Sequence, residues 1–356
     1  MRISEPEIVA LRDVLAEALT LDEMDDATLQ LGRRRDRISL APNLNAIFRD
    51  VVIYYNNRHQ IDRLLNVARS INPTNADLYL FEQGQSRAAQ LPDGLSDAAG
   101  IEALIRPHLP SFNARDWLEQ AAAAENRVCL VGDRDGALGT GFLVGPAAVM
   151  TNYHVVGKFI EGQADPADLT FTFDFTFLGA AGVVIGPDST DWLIDHSPLD
   201  DSDLIPLPAP VDVAADRLDY AVVRLAGRPG EAPVGGQKVT AASDRPRGWL
   251  TIPTRPYNFA LRKALILFHH AEGAPLRLSI DTDSFVDANE ARTRIFHRSS
   301  TAGGSSGSPC FDMAWNLVAL HQGYTRLGEQ RTNRAAPLTA IRRLLEQRGK
   351  LAAVTA

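Results

Sequence analysis

Ser299-Ser300-Thr301-Ala302-Gly303-Gly304-Ser305-Ser306-Gly307-Ser308-Pro309 is the stretch from which the rest of the chain is read. Three of its eleven residues are glycine, and neither a helix nor a strand interior takes glycine without a cost in conformational entropy. Such a density marks backbone that turns tightly or lies close against something. Gly304 and Gly307 bracket Ser305 and Ser306, and Pro309 closes the run, so the segment reads Gly-x-Ser-Gly-x-Pro with Ser306 as a candidate nucleophile. A flexible Gly/Ser loop is the plain alternative.

This pattern resembles the nucleophile loop of the chymotrypsin-like serine peptidases. The resemblance implies that Ser306 attacks a carbonyl while the backbone N–H groups of Gly304 and Ser306 form an oxyanion hole. A rival reading takes Gly303 to Gly307 as Gly-x-Ser-x-Gly, the nucleophile elbow of α/β-hydrolases, with Ser305 as nucleophile. That fold needs its acid and histidine after the serine, and His321 follows with no helix-length segment between. The peptidase reading needs a histidine and then an aspartate upstream.

The chain supplies both. Gly139-Thr140-Gly141-Phe142-Leu143-Val144, a Gly145-Pro146 turn and Ala148 to Val156 spell strand, turn, strand, with His154 at the end of the second strand. A histidine between apolar neighbours is ordinarily a core residue. These segments, however, resemble the GxGFLV and TNxHVV pieces of the same superfamily, which implies His154 as general base. Arg217-Leu218-Asp219-Tyr220-Ala221-Val222 resembles the family's D-x-A-hydrophobic strand and implies Asp219 as the orienting carboxylate, with Asp212 and Asp216 as competitors. The Asp- and Pro-rich surplus between base and acid, Gly186 to Arg217, is expected as a surface loop near the cleft.

Further on, Lys263 to Phe268 and Leu276 to Ile280 read as a hairpin, Trp315 to His321 as a strand and Ala336 to Gly349 as an amphipathic helix. Adjacent His269 and His270 invite a metal, but neighbours on a strand face opposite ways, so no metal site is expected. The resemblance implies a double six-stranded antiparallel β-barrel of the chymotrypsin type over residues 125–350, with the site between the barrels. Thr301, five residues before Ser306, and His321, fifteen after it, are similar to the pocket positions of the glutamyl endopeptidase branch. A hydroxyl and a partly protonated imidazole there would bind a substrate carboxylate. Tyr324 stands where that branch has glycine and would narrow the pocket.

With 356 residues the chain is long for one unit, and a formal net charge of −8 argues against a nucleic-acid or membrane partner. Two cysteines, Cys129 and Cys310, are too few for a disulfide framework. Acidic residues interrupt the first twenty positions, so no secretion signal is read and a cytoplasmic location is expected. No cofactor is needed, because hydroxyl, imidazole and backbone donors supply what acyl transfer requires.

Residues 1–84 read as a helical bundle: Ser4 with Glu7 makes a capping box, and helices fit Ile8 to Leu19, Asp26 to Gly32, Asn43 to Asn56 and Gln60 to Ser70. Leu78 to Phe81 is a final apolar patch. The region resembles the effector-associated, death-like adaptor domains fused to peptidases in bacterial conflict systems, which implies an adaptor or effector protein as partner. A helical regulatory or dimerisation domain of no special family is the alternative. The basic run Arg33 to Arg37 is expected on a helix, as a solvated face or for an acidic partner. Residues 85–124 read as a linker with short helices at Ile101–Arg106 and Ala114–Ala124. In the trypsin branch an aspartate just before the nucleophile pairs with an amino terminus freed by cleavage; Ser305 there carries no charge, so control is expected from the N-terminal domain. The expectation is thus a multidomain α and β protein, a serine endopeptidase cutting a protein or peptide substrate, with a catalytically inactive peptidase-fold scaffold as the alternative.

Overall fold

Apolar residues at helical spacing build the first part of the chain. Ile8, Leu11, Val14, Leu15 and Ala18 line one face of α1 (Glu5–Ala18) and are buried. Thr20 and Glu23 close a capping box at the head of α2 (Leu21–Gln30), and the Asn43 side chain caps α3 (Leu44–Asn56). Ile61, Leu64, Leu65 and Ala68 form the buried stripe of α4 (Ile61–Ile71). Helix α1 packs on α3 and α2 on α4. The expected helix through the basic run is absent: Gly32 adopts φ 84° and ends α2, and only Arg35–Arg37 forms a short 3-10 turn. Arg35 pairs with Asp25 and Arg34 with Asp36.

The computed structural model describes residues 2–3, 5–41, 43–72, 75, 77–78, 81, 112–180, 182–235 and 246–356. Ser4 of the expected capping box, Tyr79 and Leu80, the Gly84–Gly100 linker and the Ile101–Arg106 helix lie outside them. The chain divides into two units, Met1–Pro110 and Ser111–Ala356. Among the described residues no helix is long and apolar enough to cross a membrane.

The second unit opens with α5 (Ala114–Glu125), whose Trp117 indole donates to the Met313 carbonyl at 2.8 Å. A sheet follows from β1 (Val128–Asp133), β2 (Gly136–Leu143), β3 (Ala148–Thr151), β4 (Thr170–Phe173), β5 (Val183–Ile185), β6 (Leu193–Ser197) and β7 (Tyr220–Arg224). A second is formed by β8 (Leu265–His269), β9 (Arg277–Asp281), β10 (Phe285–Ala288), β11 (Ile295–His297), β12 (Pro309–Phe311), β13 (Leu317–Leu327) and β14 (Gln330–Pro337). The spatial orders are β5-β4-β1-β2-β3-β7-β6 and β10-β11-β14-β13-β12-β8-β9, antiparallel throughout.

Each sheet therefore has seven strands rather than six. In both, the two edge strands are successive pieces of chain, β5 then β6 and β9 then β10, at opposite ends of the sheet. Residue alternation along the first sheet feeds two cores. Phe142, Met150 and Val222 join Leu267, Phe311 and Ile341 of the second half, whereas Leu143, Val149 and Val223 face Phe171 and Phe173. Cys129 belongs to the latter core and Cys310 to the former; both are free, and burial pushes both thiols up.

The stretch expected as a surface loop is built into the fold. After β6 it crosses to the second sheet, where Leu207 bridges Leu327 and the Asn289 amide donates to the Val211 carbonyl. Asp203 there is buried between two arginines: Arg294 donates to it through Nε at 3.0 Å and Nη2 at 2.6 Å, and Arg334 lies at 3.3 Å. Arg294 also donates to the Arg217 carbonyl at 2.7 Å, two residues before Asp219. Removing one member of such a group leaves buried charge uncompensated. Asp203→Ala is expected to lower the unfolding free energy of the chain by about 3–5 kcal/mol in a urea titration, and a loss under about 1 kcal/mol would show that the arginines find other partners.

Candidate active site

The candidate base, His154, and the candidate acid, Asp219, come from the first half of the unit, beside the first sheet. Strand β3 stops at Thr151, earlier than the sequence suggests, and Tyr153–Ile160 forms helix α6, so His154 sits in a first helical turn rather than at a strand end. A pair of apolar residues such as Val155 and Val156 cannot tell a strand from a buried helix start. Asp219 immediately precedes β7 with φ 51°, a left-handed conformation that aspartate tolerates better than most residues. That turn is held at both ends: the Asp219 N–H donates to the Pro198 carbonyl at 3.1 Å, and the Asn152 amide donates to the Asp219 carbonyl at 2.9 Å.

The turned carboxylate meets His154 twice. Oδ1 accepts the His154 backbone N–H at 3.1 Å and Oδ2 lies 2.8 Å from Nδ1 of the ring. The Asp219 side chain is 1% exposed and that of His154 35%. A buried carboxylate on Nδ1 selects the tautomer with its proton there, which leaves Nε2 with a lone pair. Asp212 instead accepts the Ala291 N–H at 2.8 Å, away from the histidine.

The nucleophile loop comes from the second sheet. Thr140 of β2 donates its N–H to the Ser306 carbonyl and its hydroxyl to the Gly304 carbonyl, both at 2.8 Å. Ser306 is half-buried, and its hydroxyl donates to the Gln322 carbonyl at 2.8 Å rather than to His154. The Gln322 amide reaches back to the Leu218 carbonyl at 3.1 Å, so one residue touches both the serine and the segment carrying the acid. Among the described residues neither the Gly304 nor the Ser306 N–H donates a hydrogen bond. Ser305, the nucleophile of the elbow reading, is buried, and its hydroxyl is engaged by His269 Nδ1 at 2.8 Å and by the Ala302 N–H at 3.2 Å.

Thr301 lines an open groove of about 510 Å³ together with Ser300, Ala302, Arg277 and Ser279. His321 is 1% exposed on β13, and its Nδ1 lies 3.2 Å from Nε2 of His297 on β11. Thr301 and His321 make no hydrogen bond to each other among the described residues. The part-charge expected of His321 does not fit this setting. Burial, then the neighbouring His297, hold its pKa well below the ordinary value. His297 falls to about 3 for the same reason, so the pair is neutral. Tyr324 is 59% exposed. No group of three metal-ligating side chains occurs among the described residues.

Sequence reading passed over Asn152, Gln322 and His297. Asn152 stands two residues before His154 in Thr-Asn-Tyr-His and Gln322 directly follows His321, so position relative to the motifs was the available signal. His297, alone in an apolar strand, gave none.

The model of the trypsin-like peptidase domain matches residues 139–320, which is just over half of the 356-residue chain. The chain belongs to the trypsin-like peptidase family. It is similar to the uncharacterized protein y4fB of Sinorhizobium fredii, 29% identical over 217 residues, a match that spans 58% of this chain and only 29% of that relative. Among solved structures it is similar to the Rv3671c protease from M. tuberculosis in its active form, with 15% identity, TM-score 0.41 and coverage of 70% of this chain and 93% of that one. Deg5, at 13% identity and TM-score 0.42, is covered over 94% of its chain and covers 65% of this one. The serine endoprotease from Yersinia pestis gives 13% identity and TM-score 0.41, with 67% of each chain covered.

The buried histidines set a pH dependence. His270, at about 4, His297, at about 3, and His321 all lie below their ordinary 6.5 in the folded chain, so below that pH the unfolded chain binds protons that the folded one refuses. Stability is then full above 6.5 and is lost on acidification toward 4, with a slope of up to about 1.4 kcal/mol per pH unit for each histidine. Urea midpoints at about pH 7 and 5.5 should fall accordingly, and His297→Asn should flatten the slope; equal midpoints in the parent chain would contradict the burial of these rings as neutral groups.

Proposed function

We propose that this chain is a serine endopeptidase in which Ser306 is the nucleophile, His154 the general base and Asp219 the group that holds the base. The observation that carries this reading is the double contact of the buried Asp219 carboxylate with the ring and backbone of His154. For attack, the Ser306 hydroxyl leaves the Gln322 carbonyl, rotates about its Cα–Cβ bond and gives its proton to Nε2 of His154. The new Oγ–C bond makes a tetrahedral oxyanion, which the N–H groups of Gly304 and Ser306 receive. Collapse then expels the amine as it takes the proton back from His154.

Thr301 and His321 support a preference for glutamate at the cleaved bond. Among the described residues Nδ1 of His297 is buried without a partner, where a bare lone pair costs less than an N–H. With the His297 proton on Nε2, Nδ1 of His321 accepts it, the proton of the neutral His321 ring is on Nε2, and a neutral N–H donor still binds a carboxylate. Charge is thus not required of His321. The engagement of Ser306 by Gln322 favours a second reading, an inactive peptidase-fold scaffold.

A fluorophosphonate probe separates the two. The parent chain should be labelled and Ser306→Ala should not; His154→Ala should cut kcat on a peptide substrate by at least about 10⁴-fold. Cleavage of a peptide library should concentrate after Glu, and His321→Ala should erase that preference while labelling persists. No labelling of the parent chain favours the scaffold, and a profile led by Arg, Lys or large apolar residues removes the glutamyl assignment.

A further inference from the structure

His269 and His270 stand side by side, and the structure sends their rings to opposite sides of the turn that abuts the nucleophile loop. His270 donates Nδ1–H to the Ala274 carbonyl at 2.9 Å and stacks on Phe175. That holds the turn Ala271–Gly273, from which the Glu272 N–H reaches the Gly303 carbonyl. His269 goes the other way, to Ser305, the residue between the two free N–H donors.

The bonds around His269 fix its protons. The Ser279 hydroxyl donates to the Ser300 carbonyl at 2.8 Å, so it can only accept from His269 Nε2, 2.9 Å away. The ring is then the Nε2–H tautomer, and Nδ1, 2.8 Å from Ser305 Oγ, accepts the serine's hydroxyl hydrogen. Ser305 Oγ in turn accepts the Ala302 N–H at 3.2 Å. The four bonds run in one direction from Ala302 through Ser305, His269 and Ser279 to Ser300, closing a ring across the base of the loop. His269 is 4% exposed and Ser305 1%, so water does not readily take the place of the bond between these two, whereas the Ser279 and Ser300 end of the relay borders the open groove. Burial and the nearby Arg277 lower the His269 pKa, in keeping with a neutral ring.

Ser305 matters because of what lies on either side. Gly304 adopts φ 86°, and two glycines in succession have little resistance of their own to rotation, so the loop is set by its hydrogen bonds: Glu272 on the Gly303 carbonyl, Thr140 on the Gly304 carbonyl, and the hold on Ser305. Of these, the hold on Ser305 acts at the residue that lies between the Gly304 and Ser306 N–H groups. We propose that His269 is a positioning residue for peptide hydrolysis, acting through Ser305 to aim the Gly304 and Ser306 N–H groups at the oxyanion, by a neutral hydrogen-bonded relay rather than an ion pair. The proposal rests on the peptidase reading above.

The test compares His269→Leu, which keeps bulk without an acceptor, with His269→Asn, whose amide oxygen replaces Nδ1, in the full chain. His269→Leu should lower kcat on a peptide ester by about 100-fold with KM changed less than about threefold, since an oxyanion donor acts in the transition state. His269→Asn should recover to within about tenfold of the parent. Amide hydrogen exchange read by mass spectrometry should quicken at least about tenfold over residues 301–308 in His269→Leu, with the rest of the second sheet unchanged. Parent-like kcat and exchange in His269→Leu overturn the proposal, as does an Asn variant no better than Leu. So does faster exchange throughout the second sheet, which would make the role structural only. A parent chain that turns over no substrate overturns the peptidase reading, and exchange over residues 301–308 then decides by itself whether His269 holds the loop.

Discussion

Ser306 and His154 belong to different halves of the second unit, so everything depends on the line where Thr140 of β2 lies against the main chain of Ser306. Contact there is backbone to backbone. A side chain on Gly307, at φ 87°, would place its Cβ 1.9 Å from the Thr140 carbonyl, and one on Gly139 would come within 2.9 Å of the Ser306 carbonyl. Only glycine at these two places lets the sheets approach closely enough for the Thr140 N–H to reach Ser306. Thr151 fastens the same line from beneath, its hydroxyl donating to the Thr140 carbonyl at 2.7 Å one residue before Asn152. Alignment of His154 with the serine loop is thereby a property of strands, not of mobile loops.

Around that line the molecule uses charge sparingly. Among the described residues Asp219 and His154 form the one carboxylate–imidazole contact at the site, while the second half contributes histidines whose settings keep them neutral: His269 in its hydrogen-bonded ring, His270 on a carbonyl, and His297 with His321. Each buried imidazole is spared the desolvation of a full charge and still offers one donor and one acceptor. The buried ion group, Asp203 with Arg294 and Arg334, is set on the insertion, where it holds the chain leading into Asp219.

What was legible in the sequence was what local chemistry dictates. Gly139, Gly304 and Gly307 stand where no side chain fits or where φ is positive, and motifs built on such residues survive translation into structure. Helices α1, α3 and α4 followed from the spacing of residues such as Leu11, Val52 and Leu64. Less legible was anything decided by distant partners. Val155 and Val156 fit a strand as well as the helix they form, and Asp203 looked like one more loop aspartate until two arginines from the other sheet surrounded it. The strand count differed because the short edge strands β5 and β10, three and four residues long, carry too little sequence to show a period. Gly32 did mark the end of α2, and the basic run after it was misread despite that signal.

The insertion also ties the fate of the two sheets together. Asp203 belongs by chain order to the half that provides His154 and Asp219, whereas Arg294 and Arg334 belong to the half that provides Ser306. Separated at the segment between β7 and β8, the halves would return these charges to water and lose the ion group that joins them. With the halves together, a change on one side alone leaves the other side's charge buried and unanswered, so Asp203 and its arginines act as one unit shared between the two sheets.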